Sequence, residues 1–377
     1  MTIHRFSFPT AIHFGAGARR LVRDHLKERA LARPLIVTDR GLSKLPVLED
    51  FRATLDGLDV AAYVGVFGNP TRDQVSAGVD AYRAHRADAV IGFGGGAALD
   101  VAKAVALMSA HEGDVMEYAW DHPRVRPIRA QLPWFVALPT TSGTGSEVGR
   151  SAVISDEKTH VKKVVFNPAL LARAVFADPE LTLGLPAPVT AATGMDALTH
   201  NVESYLSPAY HPLCDGIALE GARIAARALP IAVAEPRNLE ARSDMMMASM
   251  MGAIAFQKDL GAVHSCAHAL GTVVDMHHGL ANGIMIDHVM RFNAQAAPAK
   301  LAELARVCGA GSDAADFISW LGALKRRIGI PQKLSEKGVT REHVPRLVDI
   351  AVADTCHQTN PRPCTKADFE RIFEEAI

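Results

Sequence analysis

Carboxylate and imidazole side chains recur at helical spacing in the second half of this chain. Asp196 and His200 lie four residues apart in a helix-like stretch, and His264 and His268 repeat that spacing. Residues four apart share one face of a helix, so each pair points at one spot. A further pair of histidines, at 277–278, precedes a glycine. Three histidines and a carboxylate, without thiolate, form a donor set that suits Fe²⁺, Zn²⁺ or Mn²⁺.

A single histidine on an apolar helix is more often a hydrogen-bonded core residue than a metal ligand. Here two such pairs occur in one half of the chain, among alanines and leucines. Burying several imidazoles and a carboxylate is costly unless a cation organises them. The pattern therefore favours one bound divalent metal ion.

Three consecutive glycines, Gly94, Gly95 and Gly96, follow a β-rich run and precede a helical stretch that carries Asp100. Glycines let the backbone approach a phosphate closely, and the N–H groups at a helix start attract negative charge. The arrangement predicts a cradle for the diphosphate of a dinucleotide. A tight turn without a ligand is the alternative.

A carboxylate and a polar loop follow two other predicted strands. Asp39 ends one β-rich run, where its carboxylate would accept hydrogen bonds from the ribose hydroxyls of adenosine and repel a 2′-phosphate; this favours NAD over NADP. The loop 139–147 supplies hydroxyls at the carboxyl end of another run, where ligands of open α/β folds collect. An ordinary turn residue and a solvated loop are the alternatives.

The elements that must position these residues change in character along the chain. The first part alternates β-rich runs with helical stretches, which is typical of a parallel sheet flanked by helices. Strands are predicted at 34–38, 60–64, 89–93, 134–138 and 174–177, and crossover helices at 74–85 and 98–109. After residue 185, stretches rich in Ala, Leu and Met dominate. We therefore expect an α/β dinucleotide-binding domain over 1–185 and an all-α metal-binding and catalytic domain over 186–377.

Composition argues against several classes of protein. The 377 residues include 40 Lys and Arg against 41 Asp and Glu, a balance that provides no basic face for nucleic acid or an anionic membrane. The N-terminal segment lacks the pattern of a secretory signal, and no apolar run is long enough to span a bilayer. Five cysteines without a CxxC pair fit a reducing compartment. We expect a soluble, cytoplasmic protein.

Several motifs in a fixed order resemble those of the iron-containing (group III) alcohol dehydrogenases, over essentially the full length. They are GGGAALDVAK (94–103), PTTSGTGSEV (139–148), FADPELT (176–182), TGMDALTHNVESY (193–205), HSCAHALG (264–271), HHGLAN (277–282) and DTCHQTNPRP (354–363). The resemblance implies a dehydroquinate synthase-like architecture, with an N-terminal NAD-binding domain, a helical C-terminal domain and an active site in the cleft between them. It also implies a homodimer or a larger homo-oligomer.

The resemblance further implies roles for individual residues. The metal ligands would be Asp196, His200, His264 and His278. His268 would be the catalytic residue beside the nicotinamide. Taken together with the glycine turn and the polar loop, the predicted cofactor contacts are Asp39, Asn69, Gly94, Gly95, Gly96, Ala97, Asp100, Thr140, Thr141, Thr144, Lys162 and His268.

Some positions depart from the family pattern or invite a further role. Ala97 stands where the family usually has serine, so backbone N–H groups must bind the phosphate without that hydroxyl. Gln257 and Lys258 replace small and amide residues, and we expect Lys258 to receive a carboxylate or another anionic group of the substrate; a surface or capping role is the alternative. Cys356 is expected to line the substrate cleft, or else to be a buried small hydrophobe.

The resemblance implies hydride transfer between NAD(H) and a small primary alcohol or aldehyde, with an anionic group on the substrate as a further expectation. The metal, Fe²⁺ first and Zn²⁺ or Mn²⁺ otherwise, would polarise the substrate oxygen, and His268 would pass the proton toward solvent. Other classes stay open: an NAD- and metal-dependent lyase of the dehydroquinate synthase type, a metallohydrolase, and a non-catalytic metal or nucleotide sensor.

Overall fold

The computed structural model describes residues 6, 8, 10–129, 131–156 and 162–377. Internal contacts divide this part of the chain into two compact units. The sheet unit contains Phe8–Thr141 and Gly145–Thr182, and the helical unit contains Leu183–Ile377 with Ser142–Thr144 and Phe6. Because neither unit is one continuous segment, the division into domains at residue 185 stays a prediction. Among the described helices, none has the length and apolar character needed to cross a membrane.

The described part of the sheet unit contains eight strands. They are β1 (Ala11–Phe14), β2 (Pro34–Asp39), β3 (Ala61–Val66), β4 (Ala89–Gly94), β5 (Trp134–Pro139), β6 (Ser151–Ser155), β7 (Lys162–Phe166) and β8 (Ala174–Ala177). Six of them form a parallel sheet in the order β1-β8-β5-β4-β2-β3. Strands β2, β4, β5 and β8 are buried almost throughout, as expected for the centre of a sheet covered on both faces.

Each of the five predicted strands is present, with ends that differ by at most two residues. Strand β1 is a four-residue edge strand that pairs only with β8, and the antiparallel pair β6–β7 forms a separate two-stranded sheet. These three strands are not among the predicted ones. They are short and only partly buried, so they lack the continuous apolar run that marks the central strands.

The described residues of the sheet unit contain four α-helices: α1 (Val22–Lys27), α2 (Pro46–Ala53), α3 (Arg72–His85) and α4 (Gly96–Ser109). Helix α3 begins after Thr71, whose hydroxyl accepts the backbone N–H of Gln74 at 3.4 Å. Helix α4 is buried along most of its length and packs against β2, β4 and β5. Both predicted crossover helices are present and begin two residues earlier than expected.

The helical unit contains α5 (Ala187–Leu206), α6 (Pro212–Ala234), α7 (Leu239–Ala255), α8 (Ala262–Val274), α9 (His278–Asn293), α10 (Pro298–Val307), α11 (Ala314–Arg327), α12 (Val344–Ala353) and α13 (Lys366–Ala376). Pro188 lies in the first turn of α5, where the missing N–H is tolerated. Helix α5 packs against α6, α7 and α9 and is buried on nearly every side. Any polar residue in the middle of α5 is therefore removed from solvent.

Candidate functional site

Three helices of the helical unit bring the predicted metal ligands together. Asp196 and His200 lie one turn apart on α5, His264 lies in the first turn of α8, and His278 is the first residue of α9. The first three side chains are buried, whereas 28% of the His278 side chain is exposed. The group is thus closed on the α5 side and accessible beside His278.

The Oδ1 atom of Asp196 is the common neighbour of the three imidazoles. It lies 3.9 Å from Nε2 of His200, 3.8 Å from Nε2 of His264 and 3.4 Å from Nε2 of His278. One ligand-type atom from each of Asp196, His200 and His264 lies within 4.8 Å of the other two. With metal–ligand bonds of about 2.0–2.2 Å, adjacent ligand atoms of a tetrahedral site are about 3.3–3.6 Å apart. The cluster therefore has the spacing of a slightly expanded metal site.

The protonation state of His264 also suits a metal ligand. Burial, together with the neighbouring His200, His278 and His268, holds the pKa of His264 well below its ordinary value. The ring is consequently neutral at pH 7, and a neutral imidazole keeps one nitrogen lone pair for a cation. A carboxylate and imidazole nitrogens are the donors that Fe²⁺, Zn²⁺ and Mn²⁺ accept, so these residues fit a divalent ion.

The glycine that follows His278 is explained by a close helix contact. A Cβ atom at Gly279 would lie 2.3 Å from the carbonyl oxygen of Ala192 on α5 and 3.2 Å from Cβ of Asp196. A side chain there would push the start of α9 away from α5. Gly279 therefore allows His278 to reach Asp196.

Asn282 is a site residue that is not among the predicted ones. It lies one turn after His278 on α9, and its amide nitrogen is 2.7 Å from Oδ1 of Asp196 and 3.2 Å from Nε2 of His278. Its own Oδ1 is buried and has no hydrogen-bond partner within the described part of the chain. An amide that donates to a ligating carboxylate fixes the orientation of that carboxylate. The i, i+4 spacing from His278 is the sequence signal that points to it.

Glu203 contacts His264 on the side opposite the cluster and is likewise absent from the predicted residues. Its Oε2 lies 2.5 Å from Nδ1 of His264, and its Oε1 accepts the backbone N–H of Val263 at 2.7 Å. Burial raises the pKa of Glu203 to about 8, although backbone hydrogen bonds lower it. Glu203 is seven residues after Asp196, at the i, i+7 spacing that marks one face of α5.

His268 pairs with Asp354 and is not part of the Asp196 cluster. Nδ1 of His268 lies 2.8 Å from Oδ2 of Asp354, and Oδ1 of Asp354 accepts hydrogen bonds from the Ser265 hydroxyl and the Cys356 backbone, both at 2.8 Å. Burial acts to raise the pKa of Asp354, but His268 and these hydrogen bonds outweigh it and hold the pKa well below its usual range. The ionised carboxylate orients the His268 ring, which stacks 5.4 Å from the ring of His278.

Cys356 lies beside this pair. Its thiol, an imidazole nitrogen of His268 and a carboxylate oxygen of Asp354 lie within 4.8 Å of one another. Burial and the nearby Asp354 raise the pKa of the Cys356 thiol well above its ordinary value, so the sulfur stays a neutral thiol. A place for Cys356 in a substrate cleft stays a prediction.

Lys258 is arranged differently from the expectation that it receives a substrate anion. The side chain is buried, and its ammonium forms an ion pair with Asp215 and a 3.4 Å hydrogen bond to the Tyr205 carbonyl. An anion at this position would compete with a carboxylate that is already in contact. The charge of Lys258 is thus compensated inside the helical unit, and its contact with a substrate anion stays a prediction.

The glycine turn of the sheet unit joins β4 to α4 as predicted. Gly94 has a φ of 153°, which side chains other than glycine rarely adopt, and Gly95 is the N-cap of α4 without a side-chain hydrogen bond to the first turn. A Cβ atom at Gly95 would lie 3.2 Å from the side chain of Thr141. The backbone at Gly96 and Ala97 begins a fourteen-residue helix, so the turn fits a phosphate.

Asp39 lies next to this turn. Its Oδ1 accepts the backbone N–H groups of Gly41 and Leu42 at 2.8 and 2.9 Å, and a Cβ atom at Gly94 would lie 3.5 Å from its Oδ2. Asp39 is therefore a turn residue and at the same time a neighbour of the candidate phosphate cradle.

The remaining predicted cofactor contacts are spread along the chain. Thr140 is buried, and its backbone N–H donates to the Gly94 carbonyl at 3.0 Å. Asn69 is exposed after β3, Lys162 begins β7, and Thr144 belongs to the helical unit by its contacts. Their contact with a cofactor stays a prediction.

Asp100 uses its carboxylate within the sheet unit. It accepts hydrogen bonds from the Ser146 hydroxyl at 2.6 Å and from the backbone N–H of Val153 at 3.0 Å. The buried Lys103 donates to the same hydroxyl at 2.8 Å and to the Ser151 carbonyl at 2.7 Å. These bonds tie α4 to the loop that carries Ser146, and the contact of Asp100 with a cofactor stays a prediction.

A parallel-sheet unit with a glycine turn and a helical unit with a buried Asp–His cluster are together typical of metal-dependent oxidoreductases that use a dinucleotide. The chain belongs to the iron-containing alcohol dehydrogenase family. Residues 9–179 match the family model for iron-containing alcohol dehydrogenase, and residues 190–377 match the C-terminal model of the Fe-containing alcohol dehydrogenase family. The predicted family and its enzyme class are thereby confirmed.

The similarity extends over the full length of known relatives. The chain is 38% identical to the 4-hydroxybutyrate dehydrogenase of Cupriavidus necator, over 98% of each chain. It superposes on the solved structure of 1,3-propanediol oxidoreductase with a TM-score of 0.95, 36% identity and complete coverage of both chains. The sulfoacetaldehyde reductase from Bifidobacterium kashiwanohense, solved in complex with NAD+, gives a TM-score of 0.93 at 29% identity, covering 100% of this chain and 99% of that chain. The predicted fold class, a parallel α/β part followed by a helical part, is confirmed.

Proposed function

We propose that this protein is a dehydrogenase that transfers a hydride between a small primary alcohol or aldehyde and NAD(H), with one divalent metal ion held by Asp196, His200, His264 and His278. The observation that carries the proposal is the buried group in which Asp196 is surrounded by imidazole nitrogens. Family membership supports oxidoreductase chemistry over the lyase and metallohydrolase alternatives.

The chain's own residues shape this site for a polar substrate oxygen. When bound, the cation would supply Lewis acidity that polarises the carbon–oxygen group, and NAD would accept or supply the hydride. Asn282 donates to Asp196 and holds the carboxylate in place. The ring of Phe256 packs 5.3 Å from that of His200 and provides an apolar wall that limits access of water. The donor set accepts Fe²⁺, Zn²⁺ or Mn²⁺, and membership of the iron-containing family favours Fe²⁺.

His268 is proposed as the residue that moves the proton. Its Nδ1 is engaged by Asp354, so the neutral ring carries its proton there and Nε2 can accept one. The ring is 31% exposed and stacks on His278, which places a base next to a proposed metal ligand with access to solvent. Asp354 keeps the ring in one orientation during the transfer, as the carboxylate does in other His–Asp pairs.

The cofactor is proposed to bind through its diphosphate to the glycine turn, where Gly94, Gly95, Gly96 and Ala97 offer open backbone, with further contacts from Asn69, Thr140, Thr141, Thr144 and Lys162. Asp39 next to this turn supports NAD over NADP, because a carboxylate repels a 2′-phosphate. The NAD+ complex of a 29% identical relative supports the same choice. A homodimer or larger assembly and a cytoplasmic location remain parts of the proposal that rest on family resemblance.

The substrate class is proposed from the relatives. One relative is named for 1,3-propanediol, which is neutral, and others for 4-hydroxybutyrate and sulfoacetaldehyde, which are anionic. An anionic substrate is therefore a specific alternative, and Lys258 could bind it only by giving up its ion pair with Asp215. Small primary alcohols and their aldehydes are common to both possibilities.

A substrate panel tests the proposal. Metal-free protein is reconstituted with Fe²⁺, Zn²⁺ or Mn²⁺ and assayed with NAD and NADP on ethanol, 1,3-propanediol and 4-hydroxybutyrate, and with NADH on the corresponding aldehydes. We expect metal-dependent formation of NADH with at least one alcohol and a weaker rate with NADP. Absence of any alcohol- or aldehyde-dependent change in NADH absorbance, with metal demonstrably bound, would refute the dehydrogenase function.

A further inference from the structure

Glu203 stands out among the buried titratable residues because its carboxylate contacts a proposed metal ligand without facing the cation position. Its side chain is 2% exposed. Oε2 lies 2.5 Å from Nδ1 of His264, while Nε2 of the same ring faces Asp196 at 3.8 Å. The two ring nitrogens of His264 therefore have separate partners, one carboxylate on each side.

We propose that Glu203 is a positioning residue that accepts the Nδ1–H of His264 and thereby keeps the lone pair of Nε2 directed at the metal ion; this inference rests on the proposed metal-dependent function. A neutral imidazole carries one proton, so the nitrogen that donates to a fixed acceptor decides which nitrogen can bind a metal. Carboxylates that hold the distal nitrogen of a ligating histidine orient the ring and increase its basicity.

The surroundings of Glu203 fix its direction. Its Oε1 accepts the Val263 N–H at 2.7 Å in the first turn of α8, and a Cβ atom at Gly261 would lie 2.6 Å from that oxygen. The carboxylate is therefore confined between α5 and the start of α8. The helix N-terminus stabilises a negative charge at this place.

A purely structural role, in which Glu203 only caps α8, predicts different behaviour. In Glu203→Gln the amide oxygen can still accept the Val263 N–H, but the NH₂ group then faces Nδ1 of His264 as a donor. Nδ1 must then become an acceptor, so the ring proton moves to Nε2. A protonated Nε2 has no lone pair with which to bind the cation. The variant thus retains the cap and reverses the tautomer. Glu147→Gln, at a buried glutamate of the sheet unit, is the matched control for the chemical change itself.

The experiment measures Zn²⁺ affinity by competition with a chromogenic chelator, together with thermal unfolding of the metal-free proteins. We expect Glu203→Gln to weaken Zn²⁺ binding about 10- to 100-fold while its melting temperature stays close to that of the wild type. Glu147→Gln should leave the Zn²⁺ affinity unchanged. Equal Zn²⁺ affinity of the wild type and Glu203→Gln would overturn the proposal and leave a capping role.

A second measurement does not depend on the variant folding. ¹⁵N-histidine NMR of the metal-free wild type, recorded above the pKa of about 8 that burial gives Glu203, is expected to show the His264 proton on Nδ1, and a proton on Nε2 would overturn the proposal. Failure of the metal site itself would be seen differently, because the wild type would then bind no Zn²⁺ whatever the tautomer of His264.

Discussion

We expect Glu147→Gln to remove a pH dependence from the stability of the sheet unit. Glu147 is 2% exposed, and its Oε1 has no hydrogen-bond partner within the described residues. Burial raises its pKa from 4.5 to about 7, although a backbone hydrogen bond and the ammonium of Lys103 lower it. Because the folded-state pKa lies above that of the unfolded chain, folding favours the protonated carboxyl group. The resulting stabilisation is complete below about pH 4.5 and is lost as the pH rises through about 7.

The size of the effect follows from the shift. A difference of about 2.5 pKa units corresponds to roughly 3 kcal/mol over the whole titration. Between about pH 5.5 and pH 8.5 the linkage relation gives a loss of about 2 kcal/mol. For a unit of this size, 1 kcal/mol changes Tm by roughly 2–4 °C, so the expected relative change is about 4–8 °C. Glutamine carries no titratable proton, so any loss in the free energy of unfolding that glutamine itself causes is the same at every pH.

The assay is thermal unfolding of metal-free wild type and Glu147→Gln, followed by circular dichroism from about pH 5.5 to 8.5. We expect the Tm of the wild type to fall relative to that of the variant as the pH rises. Glu28→Gln is the control, since that side chain is 73% exposed, and it should keep a constant difference from the wild type. A constant difference for Glu147→Gln as well would refute the reasoning.

Three further substitutions probe the helical unit. Gly279→Ala is expected to weaken Zn²⁺ binding in a chelator competition, because the added Cβ would meet the α5 backbone at 2.3 Å; unaltered affinity would contradict this. Asp354→Asn is expected to lower kcat by about 10²-fold or more with metal content retained, because the His268 ring loses its orienting carboxylate; loss of metal would argue against that role. Asp215→Asn is expected to reduce the free energy of unfolding in urea by about 1–3 kcal/mol, because the buried ammonium of Lys258 loses its ion partner, which is itself 32% exposed; unchanged stability would mean that this ion pair contributes nothing.

The central strands could be predicted because their apolar runs are continuous. Strands β2, β4, β5 and β8 are covered on both faces, and their sequences show it. Strand β1 gains its pairing from a distant segment, as in the register of Ile12 with Val175, and β6 and β7 are short strands that pair with each other outside the main sheet. A strand of only four or five residues, some of them polar, lacks the continuous apolar run that identifies a central strand.

Helical spacing identified the residues that share one helix turn but not those that meet between helices. Asp196 and His200 are four apart on α5, so their common direction is a local property. Asp354 meets His268 across 86 residues, and no period in the sequence encodes that contact. Family resemblance, not spacing, selected His278 over His277. In the structure Nε2 of His278 lies 3.4 Å from Oδ1 of Asp196.

Two charged residues illustrate why side-chain direction escapes sequence reasoning. Lys258 was expected to face a substrate anion, but its partner Asp215 lies 43 residues earlier on α6. Asp100 follows the glycine turn, yet its carboxylate turns to Ser146 and to the backbone of Val153. In both cases a charged group with little exposure finds polar or charged partners within its own unit, because leaving it without them would be costly.

The central claim is that Asp196, together with three imidazoles, holds one divalent metal ion. The most direct test is the metal content, by elemental mass spectrometry, of wild type and Asp196→Ala after identical reconstitution and desalting, with circular dichroism to confirm folding. We expect one ion per wild-type chain and almost none in the folded variant. The reason is that Oδ1 of Asp196 is the neighbour common to the Nε2 atoms of all three histidines. A folded Asp196→Ala protein that retains the full metal content would contradict the account.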